Sequence, residues 1–384
     1  MTALAARNLG FGIQVLDPDP DCAARPVVDR VVAAKFDSVD GARDLASHVD
    51  VVTLEIEQIA PDALAAALEH APVRPGPDVL RVVQHRGRQK QWLVDNGFPV
   101  GAYADVVTAA ALAAAARDIG PSLFVKACEG GYDGRSQLRF DGVDADAAWK
   151  SLGGRALVAE QALDLALELS VLVARRASGE VVVYPPAVNH HERQILAWSM
   201  LPGELDPAVA RAARELARAI AEQFSLEGIL AVEMFLTRDG QLLVNELAPR
   251  PHNSYHASEL ACPTSQFEQL VRAVCDLPLG VAEPTRPAAI VNLFGDLWQG
   301  DRAPDFASAL SVAGTRLFLY GSAGRALVAR WGISPRSVIR PPTPWLACNA
   351  RRLSCDIRWV TRHPLCSLGM PCRRQHTTSR HFPR

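Results

Sequence analysis

The first 75 residues alternate short apolar segments with helical patterns. An apolar segment at 11–16 ends at the turn Asp17-Pro18, a helical pattern covers 39–48, and an apolar segment at 51–55 precedes a helix over 61–69. Strands that alternate with helices in this order are typical of a parallel sheet with helical crossovers. The pattern predicts an α/β N-terminal domain with a parallel sheet, preceded by a helix over residues 2–9.

The next 200 residues predict an α+β lobe. Helical patterns at 79–94 and 109–119 lead into a strand over 123–127, a glycine-rich loop at 129–135, and β-rich stretches between 156 and 184. Asp206 followed by Pro207 marks the start of another helix, since proline is favoured in the first helical turn. Asp239-Gly240 is a two-residue turn signal and predicts a hairpin between strands at 229–236 and 242–247.

This hairpin brings two carboxylates together. If Asp239 and Gly240 form the turn, Arg238 pairs with Gln241, and counting outward places Glu233 opposite Glu246. Carboxylates about 5 Å apart at Cβ are destabilising unless a cation lies between them. Oxygen donors of this kind suit Mg²⁺, and Asn245 adds another. The alternative is that one glutamate points to solvent or is protonated.

A glycine-rich loop follows Lys126 at the end of the strand 123–127. Gly130, Gly131 and Gly134 allow the backbone to approach a ligand closely and to present N–H groups to phosphate oxygens. The loop matches no standard phosphate-binding motif, so a glycine-rich β-turn explains it equally well. Lys126 and the carboxylate pair together favour a nucleotide, because triphosphate chemistry needs cations and carboxylate-held magnesium.

Composition narrows the class of protein. The chain has 384 residues, 49% of them hydrophobic and 21% charged, and a net charge of -2, so no overall charge favours nucleic acid or an anionic membrane. No apolar run approaches the roughly 18 residues of a membrane span. The eight cysteines contain no CxxC pair, which argues against a zinc site or a disulfide framework. These features predict a globular cytoplasmic protein with reduced thiols and neither nucleic acid nor membrane as a partner.

Several motifs resemble one family closely. They are KACEGGYDGR at 126–135, Glu160-Gln161 with Glu168, AVEMF at 231–235, NELAPRPHNS at 245–254 and TSQFEQ at 264–269. Together they resemble the N5-carboxyaminoimidazole ribonucleotide synthetases, ATP-grasp enzymes of purine biosynthesis, over about residues 1–321. The hairpin alone would indicate only the ATP-grasp superfamily, whereas YDGR, PRPHNS and TSQFEQ select this member.

The resemblance implies an α/β ATP-grasp fold and a reaction. It divides the chain into a truncated pre-ATP-grasp domain at 1–78, an ATP-grasp domain at 79–278, a partial C-terminal domain at 279–322 and an aberrant, out-of-frame tail at 323–384. The last part of this tail, 335–384, is expected to be disordered and to lack a packed core. ATP would phosphorylate bicarbonate to carboxyphosphate, and the amino group of 5-aminoimidazole ribonucleotide would take up the CO₂ released. Mg²⁺ is the implied cofactor, and a homodimer is compatible with the resemblance.

Roles carried over from the family fall on matching positions. Arg250 is implied to stabilise carboxyphosphate, with Asp133 and Arg135 as further catalytic residues. Tyr132, Asp133 and Arg135 are implied to bind the imidazole ribonucleotide, and Glu233 and Glu246 to bind magnesium. The residues implied to bind ATP are Arg86, Lys126, Gly131, Tyr132, Asp133, Gly134, Arg135, Ser136, Gln137, Glu160, Gln161, Ala162, Leu163, Glu168, His191, Asn245 and Glu246. Within that set, 131–137 resembles the loop that closes over ATP and 160–163 the hinge that reads adenine.

Two departures from the family lie within its matched region. The family begins with a strand and a Gly-Gly-Gly-Gln-Leu turn ahead of the helix that starts here at Met1, so we expect a sheet with one strand missing and an exposed apolar edge. Tyr255 stands where the family has glycine. If that position has a positive φ, we expect a cost of about 1 kcal/mol or more and an obstructed pocket.

The third departure concerns the reading frame. After LFLYG at 317–321 the family continues with Arg-Pro-Gly-Arg-Lys-Met-Gly-His, whereas this chain reads ALVARWGIS at 326–334. Codons for the family sequence, read one base later, can encode every residue of that segment. Asp356 is the single acidic residue after Arg325. We therefore predict a frameshift between Gly321 and Ala326.

Two other functions stay open at this point. A damaged gene would yield an inactive product, or one that binds ATP without turnover. An ATP-grasp ligase with another acceptor is a further alternative.

Overall fold

A computed structural model describes residues 1–130, 136–293, 297 and 304–319, together with the backbone of 329–333. The first region contains α1 (Thr2–Asn8), β1 (Gln14–Asp17), β2 (Arg30–Ala33), α2 (Val39–Ala46), α3 (Pro61–Leu68), α4 (Pro77–Val83) and α5 (Arg86–Asp95). The middle region contains β3 (Tyr103–Val106), α6 (Ala109–Asp118), β4 (Leu123–Ala127), β5 (Gln137–Phe140), α7 (Ala145–Ser151) and β6 (Leu157–Gln161).

The remaining described elements build the largest sheet and its helices. They are β7 (Leu165–Arg175), β8 (Val181–Val183), β9 (Ala187–Glu192), β10 (Ile195–Leu201), α8 (Pro207–Gln223), β11 (Gly228–Thr237), β12 (Leu242–Ala248), α9 (Ser258–Ala261), α10 (Gln266–Val274), β13 (Ala288–Leu293), α11 (Phe306–Leu310), β14 (Arg316–Leu319) and β15 (Ala329–Ile333). None of the described helices has both the length and the apolar character needed to cross a membrane.

The strands form three sheets. In the N-terminal region β1 pairs in parallel with β2, a strand that the sequence analysis did not predict. The expected strand at 51–55 is reduced to a single parallel bridge between Val52 and Val73. A four-stranded antiparallel sheet has the order β3-β6-β4-β5, and the largest sheet has the order β12-β11-β7-β9-β10-β13-β15-β14, with β8 paired to β7.

The predicted helix over 79–94 is two helices, which corrects the sequence expectation. Gln84 ends α4, and its side-chain amide donates to the carbonyls of Glu57 and Ile59. His85 has an extended backbone, and its ring accepts a hydrogen bond from Arg88 N–H, so it caps α5. The buried face of α4 is apolar, whereas α5 buries Gly87, Gln89, Lys90 and Leu93.

Three hydrophobic cores hold these sheets. Alternate residues of the large sheet supply two of them: Val171 and Leu230 lie in the core shared with α8 and the N-terminal helices, and Leu172 and Ile229 lie in the core shared with α9 and α10. The third core lies between the small sheet and the helices α6 and α7. This double burial explains why β7 and β11 read as nearly continuous apolar runs.

Tyr255 lies in the second core, which overturns the expectation of backbone strain and an obstructed pocket. The residue is fully buried in a short 3₁₀ helix and is absent from the residues with positive φ. Its hydroxyl lies 2.9 Å from Ser170 O and 2.8 Å from Pro185 O, and its ring packs edge-on against Tyr184. The tyrosine is therefore a structural residue of the core.

The C-terminal part is described only in pieces. β15 pairs with β13 and β14, and its five residues fall in the segment 323–384, which is otherwise outside the described residues. The expectation of a disordered tail therefore concerns residues that the structure does not describe.

Candidate active site

Glu233 and Glu246 lie directly opposite each other in the hairpin of β11 and β12. Residues that alternate along a strand share a face, so Glu233 continues the row of Ile229 and Ala231, which line the second core. Glu233 ends this row and is still largely buried, with 18% of its side chain exposed. The side chain of Glu246 is 43% exposed. The predicted pair of facing carboxylates is present.

The turn of this hairpin differs from the predicted one. Thr237 N–H donates to Gln241 O at 3.0 Å, and Gln241 N–H donates to the Thr237 hydroxyl at 2.9 Å. The turn therefore has three residues, 238–240, with Gly240 at φ +87°, and Arg238 does not pair with Gln241. A glycine at the last turn position is what a three-residue turn requires, because that position adopts a positive φ.

A bulge at Asn245 restores the predicted register. Between the turn and Asn245 the strand pairing is shifted by one residue from the predicted register, so Met234 pairs with Val244. Asn245 then has no partner, and the next pair is Glu233 with Glu246. The extra residue in the turn and the extra residue in the bulge shift the register in opposite directions. The two shifts cancel, so Glu233 lies opposite Glu246 although the predicted turn was wrong.

The oxygen atoms around this pair of glutamates suit a divalent cation as ligands. The side-chain oxygen Oδ1 of Asn245 is buried and accepts no hydrogen bond from any residue that the structure describes. A buried acceptor without a donor is costly, and a cation would remove that cost. Two carboxylates and one amide oxygen are hard ligands of the type that Mg²⁺ prefers.

His252 lies against Glu233, with Nε2 3.1 Å from Oε1. Burial raises the pKa of Glu233, but the charge and hydrogen bond of His252, with smaller contributions from His191 and Arg250, outweigh it and lower the pKa to about 2. Glu233 is therefore an anion at neutral pH, as a metal ligand must be.

Glu168 and His191 form an ion pair beside these carboxylates, with Oε2 and Nδ1 2.6 Å apart. Burial opposes the charged form of His191, but the hydrogen bond and charge of Glu168 raise its pKa overall. Glu168 on β7 pairs with Phe235 of β11, two residues from Glu233. The structure thus places Glu168 and His191, both predicted to contact the nucleotide, beside Glu233 and Glu246.

Lys126 contacts a buried carboxylate of the small sheet. Its Nζ donates to Glu160 Oε2 at 2.9 Å, and Lys90 Nζ lies 3.7 Å from the other oxygen. Burial raises the pKa of Glu160, but the charges of Lys126 and Lys90 outweigh it, and the pKa falls below its ordinary value. Burial is also the main cause of the lowered pKa of Lys90, against the attraction of Glu160.

Two arginines complete the positive side of the site. Arg86, the first residue of α5, donates from Nη1 to Ala127 O at 2.8 Å, and its Nη2 is 3.9 Å from Glu246 Oε1. Arg250 follows β12, and its Nε is 2.7 Å from Glu57 Oε1. Glu57 thereby connects the N-terminal region to the predicted carboxyphosphate residue.

The predicted hinge at 160–163 uses part of its backbone for folding. Gln161 N–H donates to Ala102 O and Ala162 N–H donates to Ser122 O, at 2.9 and 3.0 Å. The N–H of Leu163 has no backbone acceptor among the described residues. Leu163 is therefore the position in this hinge from which a backbone donor can reach a base edge.

The predicted ATP loop is described only at its end. Ser136 O accepts from Ala127 N–H, and Gln137 pairs with Lys126 at the start of β5. The remaining predicted loop residues lie outside the described residues: Gly131, Tyr132, Asp133, Gly134 and Arg135.

Sequence reasoning missed three residues at this site. Lys90 and Gln89 are buried and contact β12, and Glu57 is buried against Arg250. In the run RGRQKQ the polar residues suggest a solvent-facing helix surface, so the pattern gives no signal that two of them point inward. One signal in the sequence could have pointed to Lys90. A buried carboxylate needs a cation nearby, and the chain has few lysines to pair with the clustered carboxylates.

Comparisons with known proteins show the family to which the chain is similar. Residues 1–84 match the family model of the ribonucleotide synthetase preATP-grasp domain, and residues 91–267 match that of the ATP-grasp domain. The N5-carboxyaminoimidazole ribonucleotide synthase of Bacillus subtilis is 38% identical over 297 residues, which are 77% of this chain and 78% of the relative. The chain belongs to the N5-carboxyaminoimidazole ribonucleotide synthase family.

Other members of the N5-carboxyaminoimidazole ribonucleotide synthase family are similar over even more of the chain. The synthase of Brucella melitensis is 34% identical over 345 residues, covering 88% of this chain and 94% of the relative. A crystal structure of an N5-carboxyaminoimidazole ribonucleotide synthetase with ADP has a TM-score of 0.82 at 35% identity and covers 87% of this chain and 88% of its own. The Aspergillus clavatus enzyme with ADP and 5-aminoimidazole ribonucleotide has a TM-score of 0.78 at 28% identity, covering 87% and 90%. The recognised family and the α/β ATP-grasp fold are confirmed.

Proposed function

We propose that this chain uses ATP and bicarbonate to carboxylate 5-aminoimidazole ribonucleotide to N5-carboxyaminoimidazole ribonucleotide, with Mg²⁺ as cofactor. The observation that carries the proposal is the facing pair Glu233 and Glu246, with the buried Asn245 oxygen beside it. The names of the relatives supply the reaction, and this cluster supplies the groups that it needs.

Positive charge for the phosphates comes from Lys126 and Arg86. The ammonium of Lys126 has three donors, and among the described residues its one hydrogen bond, to Glu160, leaves others for phosphate oxygens. Arg86 lies between this lysine's strand and Glu246, so its guanidinium reaches the region between the phosphates and the metal ligands. Both groups would neutralise charge as the terminal phosphoryl group is transferred to bicarbonate.

Magnesium, held by Glu233 and Glu246, would neutralise the phosphate oxygens during transfer. Glu233 is already ionised, because His252 and the neighbouring cations hold its pKa at about 2. Arg250 would stabilise the carboxyphosphate, since a guanidinium binds a planar carboxylate or phosphate through two hydrogen bonds. Glu57 orients the guanidinium from Nε, and Nη1 donates to Pro251 O at 3.0 Å.

The nucleoside would contact the two sheets on either side of these charges. Glu160, Gln161, Ala162 and Leu163 are the proposed adenine hinge, and Glu168 with His191 the proposed ribose and nucleotide contacts. Gly131–Gln137 is the proposed closing loop, in which Tyr132, Asp133 and Arg135 also contact the imidazole ribonucleotide.

Cytoplasmic location and a homodimer stay predictions, and light scattering of the purified chain checks the dimer.

The test is ADP release by the full chain with Mg²⁺, ATP and bicarbonate, measured with and without 5-aminoimidazole ribonucleotide, with the product identified by mass. Glu233→Gln should lower the rate about 100-fold or more, because it removes a charged ligand from the reacting centre. Glu222→Gln, on the exposed surface of α8, is the matched control and should leave the rate unchanged.

Three other outcomes would contradict either the proposed reaction or the proposed metal site. ATP binding without ADP release identifies an ATP-binding product that has lost activity. Release that requires a different acceptor identifies another ATP-grasp ligase. A Glu233→Gln variant as fast as the parent chain removes the proposed metal site.

A further inference from the structure

Strand β12 is the edge strand of the largest sheet, and side chains of α5 together with the segment that follows α5 contact this edge. The backbone groups that would otherwise lack partners are bound by neighbouring segments: Val244 N–H donates to Pro99 O at 2.8 Å, and Leu247 N–H donates to Gln89 Oε1 at 3.1 Å. Lys90 Nζ donates to Asn245 O at 3.0 Å. The edge is thus closed by two consecutive side chains of α5 and by the backbone of the segment after it, which forms a single parallel bridge between Val100 and Val244.

Asn245, which Lys90 contacts, is the bulged residue. The bulge sets the register on its far side, because it adds the residue that brings Glu246 opposite Glu233. Since side chains alternate between faces along a strand, a ladder without this extra residue would turn Glu246 to the opposite face. The carbonyl that Lys90 binds is therefore the one on which the facing carboxylate pair depends.

The burial of Lys90 shows how specific this contact is. The residue is only 4% exposed, which is rare for a lysine unless its charge is paired. Glu160 supplies the opposite charge at 3.7 Å, and Glu160 also binds Lys126. One ammonium thus contacts the bulge of the large sheet and the buried carboxylate of the small sheet, with little access for water to replace it.

We propose that Lys90 is a positioning residue for the metal-binding carboxylates, which it aligns by holding the carbonyl of the bulged Asn245. This inference rests on the proposed function, in which Glu233 and Glu246 bind Mg²⁺.

The test compares two substitutions in the full chain. Lys90→Met keeps the length and apolar stem of the side chain and removes the donor, whereas Lys90→Gln keeps an uncharged N–H donor. Lys150→Met, at the exposed end of α7, controls for the loss of one positive charge. Binding of ADP is measured by calorimetry across a series of Mg²⁺ concentrations and again in excess chelator, and circular dichroism checks folding.

We expect Lys90→Met to raise the Mg²⁺ concentration needed for ADP binding about 10- to 100-fold, as loss of a group that orients metal ligands does. Binding in chelator should be unchanged, and Lys90→Gln and Lys150→Met should behave like the parent chain. If Lys90→Met does not fold, Lys90→Gln decides: parental Mg²⁺ dependence supports the role of the hydrogen bond, and a tenfold shift overturns it.

Other results contradict the inference directly. Parental behaviour of folded Lys90→Met, equal weakening by Lys90→Met and Lys90→Gln, or equal weakening with and without Mg²⁺ each excludes positioning through the bulge carbonyl. If the parent chain itself binds ADP without any dependence on Mg²⁺, the proposed function fails instead, and the comparison of variants separates the two failures.

Discussion

Tyr255 illustrates how one residue can be accommodated where the family has glycine. Its backbone lies outside the positive-φ region, its ring is fully buried against Tyr184, and its hydroxyl contacts two carbonyl oxygens. One of these belongs to Ser170, the residue paired with Glu233. The hydroxyl therefore satisfies buried acceptors directly beneath a strand that carries the site.

We predict that Tyr255→Phe lowers the free energy of unfolding by about 1–2 kcal/mol, because it removes a buried hydroxyl that donates to a backbone carbonyl oxygen. Tyr103→Phe is the control, since that hydroxyl makes a 3.3 Å contact with Gln91 at the surface. Urea denaturation measures both. Equal stability of the two variants would show that the buried hydroxyl contributes nothing.

At the scale of elements, the hairpin shows what its sequence could and could not predict. The strands and the facing glutamates follow from apolar runs on both sides of Asp239-Gly240. The three-residue turn and the bulge do not, because each changes the register by one residue and neither leaves a separate hydrophobic signal. Lys90 was missed for a related reason: its burial depends on contacts with strands 70 and 155 residues away, which helical periodicity does not report.

The turn allows a prediction about its backbone. Gly240 has φ +87°, and no atom lies within 4 Å of the position that a Cβ would take, so substitution would cost backbone strain alone. Gly240→Ala should lower the free energy of unfolding by about 1 kcal/mol, and Gly240→Asn by less, because asparagine tolerates positive φ better. Urea denaturation of both variants is the measurement. An alanine variant as stable as the parent chain would contradict a strained turn.

At the scale of the whole molecule, the N-terminal region contributes to the site through Glu57. We predict that Glu57→Gln slows ADP release about 10- to 100-fold, since Arg250 loses the carboxylate that orients it and small displacements of reacting groups are costly. Glu227→Gln is the matched control, because it breaks the ion pair with Arg74, another contact of the N-terminal region. That variant should lose stability without a comparable loss of rate. Equal rate losses would mean that Glu57 acts only by joining the two regions.

The frameshift is likewise a prediction about the whole chain. The motif resemblance reaches LFLYG at 317–321, and codons for the family sequence, read one base later, can encode residues 326–334. Resequencing the gene across the codons for Gly321 and Ala326 should reveal the displaced base. A confirmed reading frame, with no family-like sequence in either neighbouring frame, would mean that the segment is a genuine divergence of this protein.

Helix α5 has a consequence for solubility as well as for the site. An uncovered edge strand offers free N–H and C=O groups to any other extended chain, and β12 is apolar at Leu242, Leu243, Val244 and Leu247. As long as Gln89, Lys90 and the carbonyl of Pro99 occupy groups of this edge, they are not open to a strand from a second molecule. Local unfolding of α5 would remove this protection, so we expect chains with a weakened α5 to aggregate through β12 while the rest of the sheet is still folded.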